Sequence, residues 1–297
     1  MLTEQSRGGL HVFLPIADRG VDALVHRISD GVYFQVQAKS RSTLQDGEVH
    51  LVVLPETLVH DEVLIVAGLV VEGGLGPTLL VAPAADFRRL ADLTSDQGKP
   101  IYSAEFGMRP RSDTRWLPWL VPLERLGERF GAPSRRLEEA LPELRPEWRS
   151  DVGSLGETEV MRRLAETSSL NVFRPFPDLE TAELAVLHLD SRRVVGLQVK
   201  TVVVDETRFR ATVNVRASSF RPAPTTYFVV LAWLRDPSRF HQDFLFIPTL
   251  ELLEFARDDS YGHLSFDWHL SSETPSALDK YRHALSDLSQ RVITSFP

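Results

Sequence analysis

Apolar and polar residues alternate with a period of two along much of the first half of this chain. VDALV (Val21–Val25), YFQVQAK (Tyr33–Lys39), EVHLVVLPETLV (Glu48–Val59) and EVLIVAGLV (Glu62–Val70) read as strands. The polar stretch HRISDG between the first two ends in an Asp-Gly turn signal. TLLVAPAADFRRLA then reads as a strand running into a short helix, and the stretch Ile101–Phe130 as a final strand and an amphipathic helix. The second half repeats the succession. FRPFPDLETAELAVLHLDSRRVVGLQVKT is followed by RATVNVRASSF, TYFVVLAWL, DFLFIPTLELLEFA and a last helical stripe of Leu278, Tyr281, Leu285, Leu288 and Val292, whose expected use is core packing. Pro133 to Glu147 holds three prolines and many charges and predicts a short helix and a linker. From Gly156 to Thr167 the spacing of Val160, Met161 and Leu164 predicts a helix, with Ser154 as N-cap and Glu157 placed as in a capping box. The pattern predicts two similar α+β domains, residues 1–132 and 153–297, joined by a linker at 133–152. Each is expected to be a mixed β-sheet flanked by helices.

The repeat keeps its register at chemically interesting positions. Asp22 precedes Lys39 by the same 17 residues that separate Glu183 from Lys200, and a glutamine, Gln37 or Gln198, stands two residues before each lysine. Side chains alternate faces along a strand, so Gln37 and Lys39 share one face, and an acid on the neighbouring strand can converge with them. A carboxylate, a second oxygen donor and an ammonium group form a site for a hard divalent cation and an anion. Phosphodiester hydrolysis is the chemistry that suits it: the cation polarises a phosphate, and the lysine positions water or stabilises developing charge.

FQVQAKS and LQVKT resemble the PD-(D/E)xK nuclease superfamily in the variant where glutamine replaces the acid before x-Lys, and FQVQAKS is most similar to the motif of Mrr-type methyl-directed restriction endonucleases. The resemblance implies an α/β/α restriction-endonuclease-like core, duplicated in tandem, and Mg²⁺- or Mn²⁺-dependent cleavage of DNA. It implies catalytic roles for Asp22, Gln37, Lys39, Glu183, Gln198 and Lys200, and metal ligation by Asp22, Gln37, Glu183 and Gln198. The superfamily core commonly opens with a helix starting Gly-Glu, whose glutamate approaches the metal. Gly156-Glu157 matches by position, so Glu157 joins the ligand set, with the capping-box role as its alternative. The halves are unequally equipped. Half one has aspartate in the acid position but few residues before Leu10 for such a helix. Half two has the helix but a glutamate, Glu183, as the acid, with Asp178 as an alternative carboxylate. Half one is the favoured cutting site, because a longer acid displaces a ligand that catalysis needs placed to about half an ångström.

Composition narrows the classes. Hydrophobic residues make up 43% and charged residues 25% of 297, as in globular proteins. The absence of cysteine excludes thiolate metal sites, thiol nucleophiles and disulfides. No apolar run is long enough for a membrane span, and the expectation is a cytoplasmic protein without membrane contact. The nine histidines form no metal-binding spacing and the glycines no P-loop. A net charge of −8 opposes bulk coating of DNA, leaving a local basic stripe, Arg109, Arg111 and Arg115 around Trp116 and Trp119, as the candidate contact; a solvated loop over core tryptophans is its alternative. RNA stays open as substrate. No sequence-reading module is evident, so a protein partner in a multi-subunit phage-defence or restriction assembly is expected. The competing reading is a degenerate nuclease-fold scaffold or sensor that binds nucleic acid or protein without cutting.

Overall fold

The computed structural model describes residues 2–17, 19–58, 60–71, 74–132, 151–176, 182–205, 207–218, 220–236, 238–258, 262–271 and 275–297. The expected linker helix, at 133–147, lies outside them, as does Asp178. The protein is a mixed α+β chain rich in strands and poor in helix, and it divides into two compact units, Met1–Leu141 and Pro142–Pro297.

In the first unit a four-residue helix α1 (Leu2–Gln5) leads into β1 (Leu10–Pro15), β2 (Ala23–Arg27) and β3 (Val32–Arg41), which form an antiparallel meander. The chain crosses through β4 (Glu48–Val53) to β5 (Leu64–Val71), which lies parallel to β3, and returns along β6 (Gly74–Pro83). Helix α2 (Ala84–Leu90) leads to the hairpin β7 (Asp92–Asp96) and β8 (Lys99–Gly107), and β9 (Leu120–Pro122) closes the edge beside β6. The main sheet of this unit runs β1-β2-β3-β5-β6-β9, and β4-β8-β7 form a small second sheet.

The second unit follows the same course. After α3 (Asp151–Ala165) come β10 (Leu170–Phe176), β11 (Leu184–His188) and β12 (Val194–Val203). Next are β13 (Arg210–Arg216), β14 (Thr226–Leu234), β15 (Arg239–Pro248), β16 (Arg257–Asp258), β17 (His263–His269) and β18 (Arg282–Ala284), and α4 (Leu288–Ser295) ends the order. Its main sheet runs β10-β11-β12-β14-β15-β18, with β12 and β14 as the parallel pair and β13-β17-β16 as the small sheet. The agreement extends to irregularities. β5 and β6 shift register between Gly68 and Val70, three residues past the Lys39–Ala67 pair, counted to Val70. β14 and β15 shift between Leu231 and Trp233, at the same distance from the Lys200–Val230 pair.

Burial explains the layers. Val195, Leu197 and Val199 of β12 pack with Val160 and Leu164 of α3 on one face. Phe228 and Val230 of β14 pack on the other face with Val213 and Trp268 of the small sheet. In the first unit Ile65 and Ala67 likewise meet Leu51 and Phe106 of the small sheet, whereas Val36 packs with Phe130 of a 3₁₀ helix, Leu123–Phe130, on the opposite face.

Three expectations are corrected. Helix α3 starts at Asp151, so Ser154 sits inside it, where its carbonyl accepts a bond from the Thr158 hydroxyl; Ser154 is no N-cap, and Glu157 is no capping-box partner. The stripe from Leu278 to Val292 is buried throughout, as core packing requires, but it is not one helix: strand β18 interrupts it between two 3₁₀ turns. Flanking helices are scarce in the first unit, where α1 and α2 have four and seven residues.

His11 and His26 are buried on β1 and β2, and burial pushes both imidazoles down to about 4 from an ordinary 6.5. The His26 ring stacks on Tyr33 at 4.2 Å, and neither of its nitrogens has a hydrogen-bond partner among the described residues. Both rings are neutral in the folded chain, whereas the unfolded chain takes up their protons below 6.5. Their contribution is therefore complete above pH 6.5 and is lost as pH falls from 6.5 towards 4, on the order of 3 kcal/mol for each histidine. Denaturant unfolding across that window should show the loss, and His26→Phe should reduce the slope.

Candidate functional site

Each site is built where two antiparallel strands begin to pair. In the second unit the Glu183 amide, just before β11, donates to the Leu197 carbonyl of β12 at 3.0 Å. The next amide along β12, that of Val199, donates instead to the Glu183 carboxylate, at 2.6 Å, and the other carboxylate oxygen accepts from Lys200 Nζ at 3.2 Å. Glu183 is only 7% exposed, and Gln198 beside it is buried too. A buried carboxylate needs such partners, because an uncompensated one would cost several kcal/mol.

The first unit repeats the arrangement with one difference. The Asp22 amide donates to the Val36 carbonyl at 3.0 Å, and its carboxylate accepts from the Ala38 amide at 2.7 Å. Here the second donor is the glutamine, and it shares an oxygen with the amide: Gln37 Nε2 donates at 2.5 Å to the Asp22 oxygen that Ala38 also uses, whereas Lys200 takes the Glu183 oxygen that Val199 leaves open. Lys39 makes no ion pair with Asp22, and the expected convergence is met by Gln37 alone. The shorter aspartate, held at the strand by Ala38 and Gln37, leaves the ammonium without the contact that the longer Glu183 provides.

Strand alternation settles which way these groups face. Val199 and Leu197 lie on the α3 side, so Gln198 and Lys200 project to the side of the small sheet. Gln37 and Lys39 do the same in their unit, since their parallel partners Ile65 and Ala67 pack against β4 and β8.

Glu157 reaches the same end of the sheet from the other side. Gly156 explains how: a Cβ there would come within 1.8 Å of the Thr201 hydroxyl, so only glycine lets α3 approach β12 this closely. Glu157 is then 7% exposed, with its carboxylate 3.8 Å from the guanidinium of Arg174. The β10–β11 register continues from Phe173 opposite Ala185, which sets Arg174 beside the strand entry that carries Glu183. Sequence reasoning missed Arg174; its one signal is that it directly follows, within β10, a phenylalanine shared by both copies, Phe13 and Phe173.

Among the described residues there is no group of three or more His, Cys, Asp or Glu able to hold a metal by themselves. Each site therefore depends on mixed oxygen donors, and the first unit offers a specific one: Gln37 Oε1 is buried with no hydrogen-bond partner among the described residues, beside the Asp22 carboxylate. A hard cation would satisfy that orphaned oxygen, so the donor set fits Mg²⁺ or Mn²⁺.

The expected basic stripe disperses. Arg115 forms a bidentate pair with Asp92 of β7, Arg111 lies 3.7 Å from Asp113, and Trp116 is buried in the core, leaving Arg109 exposed at the loop. Among the described residues no helix is long and apolar enough to cross a membrane.

No protein-family model matches the chain, and no curated protein matches it. Among solved structures, a bacterial homing endonuclease is similar over 48% of this chain and 92% of its own, at 16% identity and a TM-score of 0.34, a likeness too slight to carry an argument about fold or activity.

Gly156→Ala tests how the helix is seated. The added methyl must displace Thr201, so stability should fall by about 1–3 kcal/mol. Thr201→Ala in the same chain should restore part of it, as read from chemical denaturation.

Proposed function

We propose that the protein is a metal-dependent endonuclease acting on DNA, built from two PD-(D/E)xK-like units with restriction-endonuclease-like cores, in which the second unit cuts. The observation that carries this reading is the Glu183 carboxylate, fixed by the Val199 amide through one oxygen and joined to Lys200 through the other at 3.2 Å. Shared strand order and matching register shifts support descent of the two units from one duplicated core. The preference for the second unit reverses the one drawn from sequence, because Glu183 meets its lysine and Asp22 does not meet Lys39.

In this mechanism Glu183, Gln198 and Glu157 would hold the cation, which supplies charge to polarise the phosphate and acidify bound water. Glu183 also orients Lys200. From there its ammonium would hold the attacking water or meet the charge that develops on the phosphate. The Val199 amide keeps the carboxylate from rotating, which preserves that geometry. In the first unit Asp22 and Gln37 would hold a cation, and Lys39, lacking the acid contact, favours a binding or scaffolding role there. Sequence recognition would come from a protein partner within a restriction or phage-defence assembly.

The test is plasmid nicking in Mg²⁺ or Mn²⁺. Lys200→Ala should lower the rate by two to three orders of magnitude, as loss of one preorganised transition-state contact does. Lys39→Ala should leave nicking within a few-fold of wild type. Equal loss in both variants would assign cutting to both units, and wild type inert with either metal and with every DNA or RNA substrate would leave the scaffold reading.

A further inference from the structure

The strand that carries Lys200 ends in an unusual rim. After Val203 the chain turns back into β13, with the Asp205 carboxylate accepting from the Thr207 amide at 3.0 Å and hydroxyl at 2.6 Å. Phe209 closes this turn at φ +50°, a left-handed conformation that costs a non-glycine residue about 1–3 kcal/mol and that persists where surroundings impose it. Its carbonyl accepts from the Leu270 amide at 3.0 Å, which holds the backbone in place. Its ring, 45% exposed, stands edge-on to His241 at 6.5 Å, and His241 in turn to Trp268 at 6.3 Å.

Arginines stand on the elements that meet at this ring. Arg208 is exposed, with a loose ion pair to Asp205 at 3.8 Å. The adjacent β14–β15 hairpin adds Arg235 and Arg239, both exposed and without an ion pair among the described residues. Val204 is tied to this hairpin by a bond from its amide to the Trp233 carbonyl at 3.0 Å. Four residues of strand separate Lys200 from Val204, about 13 Å. The turn into the small sheet lies on the face to which Lys200 projects.

The fold itself does not demand these residues. In the first unit Gly74 stands opposite Val71 where Arg239 stands opposite Leu234, and Gly47 precedes β4 where Phe209 precedes β13, so neither the ring nor this guanidinium is repeated there. An exposed aromatic ring beside exposed arginines, of which Arg235 and Arg239 have no ion pair among the described residues, has the chemistry that holds single-stranded nucleic acid: bases stack on the ring, and the guanidinium groups follow the phosphates.

We propose that this rim, Phe209 with Arg208, Arg235 and Arg239, binds single-stranded DNA and leads the strand to Lys200. The choice of DNA, and the strand's destination, rest on the nuclease reading above. The carboxylates of the turn and small sheet are engaged, Asp205 by Thr207 and Asp267 by Thr212 and Arg210, so neither of these two is set to read a ribose hydroxyl.

The experiment is fluorescence anisotropy with a labelled oligothymidylate, using the full chain in EDTA so that binding is separated from cleavage. Wild type should bind the single strand more tightly than the same length of duplex. Phe209→Gly should weaken binding about tenfold, the usual effect of losing one stacking platform. Glycine relieves the left-handed strain, so an undiminished melting temperature would assign the loss to the ring and not to unfolding. Phe209→Tyr should bind as wild type does. Arg235→Ala with Arg239→Ala should lessen the salt dependence of binding by about 1.4 in log–log slope, as expected for two phosphate contacts on a single strand. Unchanged binding by Phe209→Gly, or tighter binding of duplex or of oligouridylate, would overturn the proposal. Binding that depends on Phe209 without any cleavage would sink the nuclease reading alone, and cleavage with binding indifferent to Phe209 would sink the rim alone.

Discussion

Both units depend on a carboxylate that stands in for a backbone carbonyl. Where the pairing of the two strands begins, the amide of Val199 or Ala38 has lost its main-chain partner, and the acid at the strand entry accepts its proton. The Val199 amide is buried, and left unsatisfied it would cost about 1–3 kcal/mol, so in the second unit this bond has structural value before any chemistry is considered. It also fixes register. A slip of one residue would present the lysine to the α3 side and Val199 to the small sheet, exchanging a charge for a core residue. The constant interval from acid to lysine is thus demanded by folding alone, whatever chemistry the pair performs.

The parallel strand pair beside the site follows from the same constraint. Because β3 and β5, or β12 and β14, run in the same direction, the chain must cross over between them, and it does so through a strand of the small sheet. That crossover builds the wall that the lysine faces. The core on one side is made with helix α3, the core on the other with the small sheet, and the motif sits at the boundary where neither covers it fully.

Local features of the site could be read from the sequence and distant ones could not. The alternation in VYFQVQAK and the acid-to-lysine interval are properties of a few adjacent residues, and they located the strands and the acid beside each motif. The start of α3 was misjudged because Gly153 and Gly156 weaken helix propensity, and the reason for Gly156, the Thr201 hydroxyl, lies 45 residues away. The Leu278–Val292 stripe kept helical spacing while passing through β18, since residues that alternate between turn and strand can all face one core. Arg115 appeared available for DNA, and its partner Asp92 comes from a hairpin that composition alone does not place beside it. Arg174 and Phe209 acquire meaning only from their neighbours: Glu157 in the first case, and the unpaired Arg235 and Arg239 in the second.

The register shifts in the β5–β6 and β14–β15 hairpins divide each of them into a fixed stem and a separate tip. A shift of this kind absorbs extra length and twist, so changes beyond it do not propagate into the strand that bears the lysine. The tip is therefore an exchangeable cartridge: Val70, Val71, Gly74 and Leu75 in one unit and Trp233, Leu234, Arg239 and Phe240 in the other occupy the same mount. Whatever partner each unit meets could be replaced by redesigning half a dozen residues while the chemistry beneath stays undisturbed.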